Sequence, residues 1–230
     1  MTADGRPADP ATYLDEVLVA MRTPWPGNRN VHIVCHGHSV PAGYFATPQV
    51  RALDAYPHLL REGLCHRFPH AAFNVIVTAS GGENSESGAA RFEREVLCHR
   101  PDVVTLDYAL NDRRLGPDRA RDAWRSMIDA ALARGVRVLL LTPTPDNTQC
   151  ADYDGEDAHE LEAHAAQIRG LAAESGVGLV DSLDACLRHA GRERLDGLLS
   201  WINHPNRTGH ELVAAELMRW FPEMGSGCKS

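Results

Sequence analysis

Four short polar segments in this chain carry groups that could together perform nucleophilic chemistry. They are Gly37-His38-Ser39-Val40, Gly81-Gly82-Glu83-Asn84-Ser85, Asn111-Asp112 and His204-Pro205-Asn206. A serine hydroxyl needs a base that takes its proton and donors that stabilise the oxyanion formed by its attack. Ser39 offers the hydroxyl and His204 the base. The backbone N–H groups of Ser39 and Gly82 and the side-chain amide of Asn111 offer the donors, so the segments predict a site for acyl transfer.

The elements around these segments indicate how they could meet. Each of the first three follows an apolar run rich in β-branched residues: VHIVCH, FNVIVT and DVVTLD. In an open parallel sheet, ligands bind outside the carboxyl ends of the strands. We therefore expect the three loops to converge on one crevice. His204 comes much later, immediately before a final amphipathic stretch.

Apolar periodicity along the rest of the chain predicts alternating strands and helices. The predicted strands are 31–36, 73–78, 102–107, 136–142 and 177–181, and the predicted helices are 11–22, 47–66, 85–99, 115–134, 157–175 and 207–220. Alternation of this kind indicates βαβ crossovers and a parallel sheet covered on both faces. The sequence thus predicts one three-layer α/β/α sandwich with a five-stranded parallel sheet.

The order of the four segments resembles the SGNH/GDSL hydrolases, a family named for a Ser, Gly, Asn and His. These would be Ser39, Gly82, Asn111 and His204, and the resemblance extends over about 31–221. It implies a flavodoxin-like strand order, a serine esterase activity and no metal or organic cofactor. Gly82 is preferred to Gly81 as the oxyanion donor, because the family's S-G-x-T-S pattern places the glycine three residues before the last serine.

Three of the segments depart from the family's motifs. The first reads G-H-S where the family has G-D-S, so His38 stands in the position of the family's aspartate. We expect His38 to tune the polarity beside Ser39 or to form a hydrogen bond with a loop. The third has Ala109 where the family has glycine. The fourth matters most for mechanism: the family's D-x-x-H-P-N becomes Trp201 three residues before His204.

The carboxylate of a catalytic triad holds the imidazole in its productive tautomer, and the Trp201 side chain cannot do so. In one alternative, the backbone carbonyl of Trp201 orients His204 and leaves a Ser-His dyad. In another, a substitute acid, Asp196 or Asp146, reaches His204. A third alternative is a non-catalytic carbohydrate-binding relative that kept the pocket and lost turnover.

Length and composition restrict the class of protein. The 230 residues suit a single domain over 1–230, in which we expect about ten N-terminal and eight C-terminal residues to be flexible. The net charge of −8 argues against nucleic acid as a partner and disfavours anionic membranes. No secretory leader or membrane span is evident, so a cytoplasmic location is expected. The sequence leaves the oligomeric state open.

The cysteines, histidines and lysine exclude other chemistries. The six cysteines are scattered without a C-x-x-C motif, which supports neither a zinc ribbon nor a disulfide scaffold. Cys35 and His36 are neighbours in a strand and point to opposite faces, so they cannot readily bind one metal ion. Lys229 is the sole lysine, which excludes a Schiff-base lysine within the fold.

The loops expected around the site indicate the substrate. The segments GENSES and PDNTQCADYDGED are polar and offer few large apolar side chains for a fatty-acyl channel. Together with the resemblance, this predicts a small acyl ester, especially an acetyl group on a carbohydrate hydroxyl. A lysophospholipase or thioesterase acting on longer acyl chains is the alternative enzyme.

Overall fold

The fold was analysed in a computed structural model that describes residues 5–153, 155 and 159–223. Strands β1 to β5 span Val31–Gly37, Phe73–Val77, Val103–Asp107, Arg137–Leu141 and Gly178–Val180. They form one sheet in the order β2-β1-β3-β4-β5, and each adjacent pair is parallel. The predicted five-stranded parallel sheet and its flavodoxin-like order are confirmed.

Helices connect the strands and flank the sheet. Helices α1 to α9 span Asp15–Arg22, Ser39–Ala42, Tyr56–Arg67, Ser85–Glu95, Ala109–Asp112, Pro117–Leu132, Glu160–Ser175, Ser182–Ala190 and Arg207–Met218. The three elements that the periodicity did not predict are α2, α5 and α8. Two of these are single turns, which are too short to show a period.

The predicted helix over 47–66 is wrong in its first part. α3 begins at Tyr56, after a 3-10 turn over Ala52–Asp54. Upstream of that turn, Val50 makes an isolated antiparallel bridge with Tyr44, and Gln49 N–H donates to the carbonyl of Ala46. Pro48 contributes no amide hydrogen to this segment, which favours a turn over a helix.

The core lies in two layers, one on each face of the sheet. Side chains alternate along β1, so that Ile33 and Cys35 pack with α1, α3 and α9, whereas Val34 packs with α4, α6 and α7. All three of these strand residues are fully buried. Helices on both faces leave the loops at the carboxyl edge of the strands free to form a site.

The ends of the described chain are attached to this core. The Ala8 amide donates to the carbonyl of Val177, and Arg67 donates to the carbonyls of Met218, at the end of α9, and of Phe221. Of the ends predicted to be flexible, residues 1–4 and 224–230 lie outside the described residues. Within the described ranges, every helix is too short or too polar to cross a bilayer.

Candidate active site

Ser39 stands at the carboxyl end of the central strand β1. The strand ends at Gly37, where a Cβ would lie 2.5 Å from the carbonyl oxygen of Asp107 on β3. Only glycine permits this close approach. His38 follows as the N-cap of α2, and Ser39 is the first residue of that helix, with 6% of its surface exposed.

Ser39 and His204 form a hydrogen-bonded pair although 165 positions separate them in the chain. His204 Nε2 lies 3.0 Å from Ser39 Oγ, and His204 Nδ1 lies 2.8 Å from the carbonyl oxygen of Phe45. A carbonyl oxygen only accepts, so Nδ1 carries the hydrogen, and Nε2 of the neutral ring accepts from the serine hydroxyl. This is the tautomer that a general base needs.

The group that orients His204 is therefore a backbone carbonyl. It belongs to Phe45 and not, as one of the alternatives from the sequence had it, to Trp201. The loop before His204 is closed by Ser200, whose N–H and Oγ both donate to the His204 carbonyl. This closure puts Trp201 at an exposed turn, with half of its surface accessible. The His204 ring turns the other way, toward the segment that follows α2.

Neither expected substitute acid contacts His204. The Asp146 carboxyl is buried and engaged elsewhere, because one oxygen lies 2.6 Å from Arg113 Nη2 and the other accepts from the N–H and Oγ1 of Thr148. Asp196 is exposed and lines a separate small cavity beside Cys150.

Phe45 is held in a compact loop. Its N–H donates to the carbonyl of Gln49 at 2.9 Å, and Arg51 N–H donates to the carbonyl of Gly43 at 2.7 Å. The Arg51 guanidinium lies 3.7 Å from the centre of the Phe45 ring, a cation–π distance. These contacts fix the direction of the Phe45 carbonyl.

Gly81 and Gly82 occupy different surroundings in the loop after β2. A Cβ at Gly81 would lie 2.7 Å from the Tyr44 ring, so this glycine packs against the aromatic side chain. Gly82 has a φ of +79° and open space where a Cβ would project. The open position of Gly82 fits the expected oxyanion donor.

Asn111 lies in α5, the single turn after β3. Its Nδ2 donates to the carbonyl of Glu83 at 2.8 Å, which brings the second and third sequence segments together. The neighbouring Asp112 is fully buried and reinforces this junction, because its carboxyl oxygens accept from Ser85 N–H and from Trp124 Nε1, each at 2.7 Å. Burial raises the pKa of Asp112 despite these bonds.

Burial lowers the pKa of His204. The Phe45 carbonyl acts in the opposite direction because it stabilises the charged ring. The Tyr44 ring lies 5.9 Å from the His204 ring, centre to centre, and contributes to its cover. The lowered pKa favours the neutral ring, which is the form that can act as a base.

A cavity of about 870 Å³ lies beside the pair. Its lining residues include Gly82, Asn111 and Trp201. Ser39 and His204 are buried and do not line it, but Asn203, the neighbour of His204 in the chain, does. The lining also includes Arg114 and Asn147, so polar groups dominate the wall around the exposed indole. Among the described residues, no three His, Cys, Asp or Glu side chains are grouped to hold a metal ion.

Two residues of this site could not be found from the sequence. Phe45 contributes a backbone carbonyl, which every residue type carries, and Tyr44 contributes a ring that covers His204. Asp112 belongs to the third segment, but it is followed by Arg113 and Arg114, so the local sequence does not indicate that its side chain is buried.

Comparison with known proteins identifies the family. The sequence model of the GDSL-like Lipase/Acylhydrolase family matches residues 35–212, which include all four segments. The chain belongs to this family, and it is a carboxylic ester hydrolase. A search of curated proteins found no match.

Solved structures share the fold at low sequence identity. Axe2, an acetylxylan esterase from Geobacillus stearothermophilus, is 19% identical with a TM-score of 0.72, over 83% of this chain and 94% of the other. LAE5, an α/β hydrolase from the metagenome of Lake Arreo in Spain, is 20% identical with a TM-score of 0.73, over 90% and 100%. The acetyl xylan esterase AlAXEase is 24% identical with a TM-score of 0.69, over 81% and 98%.

Proposed function

We propose that the protein is a serine esterase that removes small acyl groups, principally acetyl, from carbohydrate hydroxyls. Ser39 is the nucleophile and His204 the general base. The observation that carries the proposal is the continuous chain from Ser39 Oγ through the His204 ring to the Phe45 carbonyl. A hydroxyl bonded to an oriented neutral imidazole is the arrangement that activates a serine.

In the acylation half of the reaction, Ser39 Oγ forms a bond to the ester carbonyl carbon while its proton passes to His204 Nε2. The imidazolium then carries a hydrogen on each nitrogen, and the Nδ1–H bond to the Phe45 carbonyl stabilises it. Collapse of the tetrahedral intermediate breaks the carbon–oxygen bond of the ester. The leaving alkoxide takes the proton from Nε2 and departs as the free alcohol.

In the deacylation half, water replaces the alcohol. His204 Nε2 takes a proton from the water as its oxygen attacks the acyl carbon, and the same proton returns to Ser39 Oγ when the acyl–serine bond breaks. The products are the carboxylic acid and the original enzyme. Apart from the substrate and water, both halves use only groups of this chain.

Three donors serve the oxyanion. Ser39 and Gly82 offer backbone N–H groups, and Asn111 offers the amide hydrogen that remains after its bond to the carbonyl of Glu83. A donor of this kind is worth about 3–4 kcal/mol in the transition state. The bond to Glu83 preorganises the Asn111 amide, so that little reorganisation is needed during the reaction.

The surroundings of Ser39 support a small acyl group on a polar alcohol. With 6% of Ser39 exposed, little room is left for a long acyl chain at the nucleophile. The adjoining cavity is large enough for a sugar unit and is lined largely by polar groups. Two of the similar structures carry the name acetylxylan esterase, which agrees with this choice.

Trp201 supports the carbohydrate part of the proposal. The indole is half exposed at a cavity that also contains Asn111 and Asn147. A flat apolar ring beside amide groups suits a pyranose, which has apolar C–H faces and hydroxyl edges. The residue that replaces the family's acid would thus contribute to substrate binding.

A serine variant tests the chemistry. We expect Ser39→Ala to abolish hydrolysis of p-nitrophenyl acetate with an unchanged circular dichroism spectrum. Ser80→Ala is the matched control, because Ser80 is exposed in the loop after β2. Activity of Ser39→Ala above a tenth of the wild-type value would refute the assignment of the nucleophile.

An acyl-chain series tests the substrate class. We expect kcat/KM to fall steadily from C2 to C12 p-nitrophenyl esters, and acetate to be released from acetylated xylan. Trp201→Ala should raise KM for the acetylated saccharide and leave KM for p-nitrophenyl acetate nearly unchanged, with the exposed Trp25→Ala as control. A maximum at C8 or longer would instead favour a lysophospholipase or thioesterase.

A further inference from the structure

His38, the residue immediately before Ser39, is buried and occupies a defined tautomer. Its ring is 1% exposed, and Nδ1 accepts a hydrogen bond from Val40 N–H at 3.1 Å. A backbone N–H can only donate, so Nδ1 carries no hydrogen. The neutral ring must therefore hold its hydrogen on Nε2, the opposite tautomer from that of His204.

The hydrogen on Nε2 points into a buried polar cluster beneath the site. Asp107 Oδ1 is 3.4 Å from His38 Nε2, a close electrostatic contact whose angle is not that of a hydrogen bond. Asp107 is 2% exposed, and the phenol of the fully buried Tyr56 interacts with the same carboxyl group. An Nε2–H beside a buried carboxyl oxygen is favoured over a lone pair in that place.

The cap on Val40 N–H acts directly on the segment that holds Ser39. α2 has four residues, so the N–H groups at its start depend on the cap for partners. The same segment is joined to β3, because His38 N–H donates to the Asp107 carbonyl at 3.2 Å. Backbone and side chain of Asp107 thus both face His38, and His38 in turn fixes the backbone on either side of Ser39.

We propose that His38 and Asp107 form a positioning pair for the nucleophile: Asp107 selects the Nε2–H tautomer of His38, and the free Nδ1 caps the turn that aims Ser39 at His204. Neither side chain touches the substrate. The proposal explains why histidine can stand where the family's motif has aspartate, since both side chains can accept a bond from a backbone N–H at a helix start. It rests on the proposed role of Ser39.

Two substitutions at His38 separate positioning from mere packing. We expect His38→Leu to lower kcat for p-nitrophenyl acetate by about 10- to 100-fold, because a shift of about 1 Å in a catalytic group can cost that much. KM should change less than twofold. Asn is among the best N-cap residues, so His38→Asn should recover most of the lost kcat. His32→Leu, the same change at the other end of β1, is the control.

A wild-type kcat in folded His38→Leu, or an equal loss in His38→Asn, would overturn the positioning role. Ser39→Ala is measured alongside. If Ser39→Ala stays active, the proposed function itself fails, whereas inactive Ser39→Ala with active His38→Leu removes the positioning pair alone.

Imidazole ¹⁵N NMR tests the tautomer without depending on a disruptive variant. The His38 signals are assigned by their loss from His38→Asn, and the wild-type ring at pH 7 should show protonated Nε2 and unprotonated Nδ1. Asp107→Asn, which keeps an oxygen acceptor, should retain this pattern, and Asp107→Ala should mix the two tautomers. A wild-type His38 protonated at Nδ1 would overturn the proposal.

Discussion

The His204 ring lies in surroundings that oppose its protonation, and this has a measurable consequence for catalysis. Only the neutral ring can take the proton of Ser39, so activity is lost as pH falls through the pKa of His204. Burial holds that pKa below the ordinary histidine value of about 6.5. We expect kcat/KM for p-nitrophenyl acetate to decline as the pH falls, with its midpoint below 6.5. A midpoint above 6.5 would contradict the assignment.

The carbonyl of Phe45 predicts that no carboxylate near His204 is essential. Asp146→Asn and Asp196→Asn should each keep kcat within about tenfold of wild type, whereas loss of a triad aspartate costs about 10⁴-fold. Asp146→Asn should also lower the thermal midpoint, because it weakens the pairing with Arg113. A loss of three orders of magnitude in either variant, with the fold intact, would identify that aspartate as a triad acid.

Residue types predicted which side chains meet in this site, but they could not predict the group that orients His204. The structure brings Ser39 together with His204, and Asn111 together with the loop of Gly82, because each segment directly follows a strand or precedes a helix. The motifs point to Trp201, Asp146 or Asp196 as the group that orients His204. It is a main-chain oxygen on a loop whose shape depends on contacts across that loop, which a linear motif does not contain.

At the scale of elements, two helical glycines have opposite surroundings. A Cβ at Gly88 in α4 would lie 2.3 Å from the Tyr108 ring, which is fully buried and bonded to His36. At Gly170 in α7 a Cβ would meet nothing within 4 Å. Gly88→Ala should therefore lower the free energy of unfolding by about 1–3 kcal/mol, from overpacking. Gly170→Ala should raise it by about 0.5–1 kcal/mol.

Urea unfolding of the two alanine variants and wild type measures both effects in one experiment. Each variant serves as the control for the other, since the substitution and the secondary structure are the same. Equal changes in the two variants would mean that helix propensity alone decides the outcome and that the Gly88–Tyr108 contact is unimportant.

The periodicity located the long elements and failed for the short ones. Apolar runs predicted all five strands to within one residue at either end, including the partly exposed edge strand β2. The turns α2 and α5, which carry Ser39 and Asn111, are fixed by caps and by bonds between loops. Such bonds join distant parts of the chain and leave no local period.

At the scale of the whole molecule, two buried histidines connect stability to pH. His36 and His210 are almost inaccessible, and burial lowers the pKa of each to about 4. In the unfolded chain both take up protons near pH 6.5, so the unfolded state gains protons first as the pH falls. The stabilisation that these two rings give the folded state is fully present above about pH 6.5. It is lost progressively as the pH falls to about 4.

We expect the free energy of unfolding to fall by about 2 kcal/mol per pH unit near pH 5 from these two rings together. Urea titrations at pH 7, 6 and 5 measure the slope. His210→Asn keeps an acceptor for the hydrogen bond from Tyr56 N–H but removes one titrating ring. The pH slope of its free energy of unfolding should therefore be about half of the wild-type slope. A wild-type protein equally stable at pH 7 and 5 would contradict the prediction.

The overall architecture could be predicted from the sequence because it follows from the alternation of strands and helices. Strands that alternate with helices must cross over in one hand, which leaves few possible sheets. The order of the strands came from the family resemblance, and the structure has the same order. The periodicity gave no indication of α8, a nine-residue helix, so the region between β5 and His204 was the least predictable part of the scaffold.

The Phe45 carbonyl also bears on how such a site can change over generations. A triad aspartate can be lost in one step, because a single nucleotide change can remove the carboxylate. A main-chain oxygen is present whichever amino acid is encoded at position 45, so point mutation there cannot delete it. What inheritance must preserve is the path of the loop, for instance the contact of Arg51 with the ring of Phe45. Alignments that track residue identity would record a lost acid, although the orienting bond is still present.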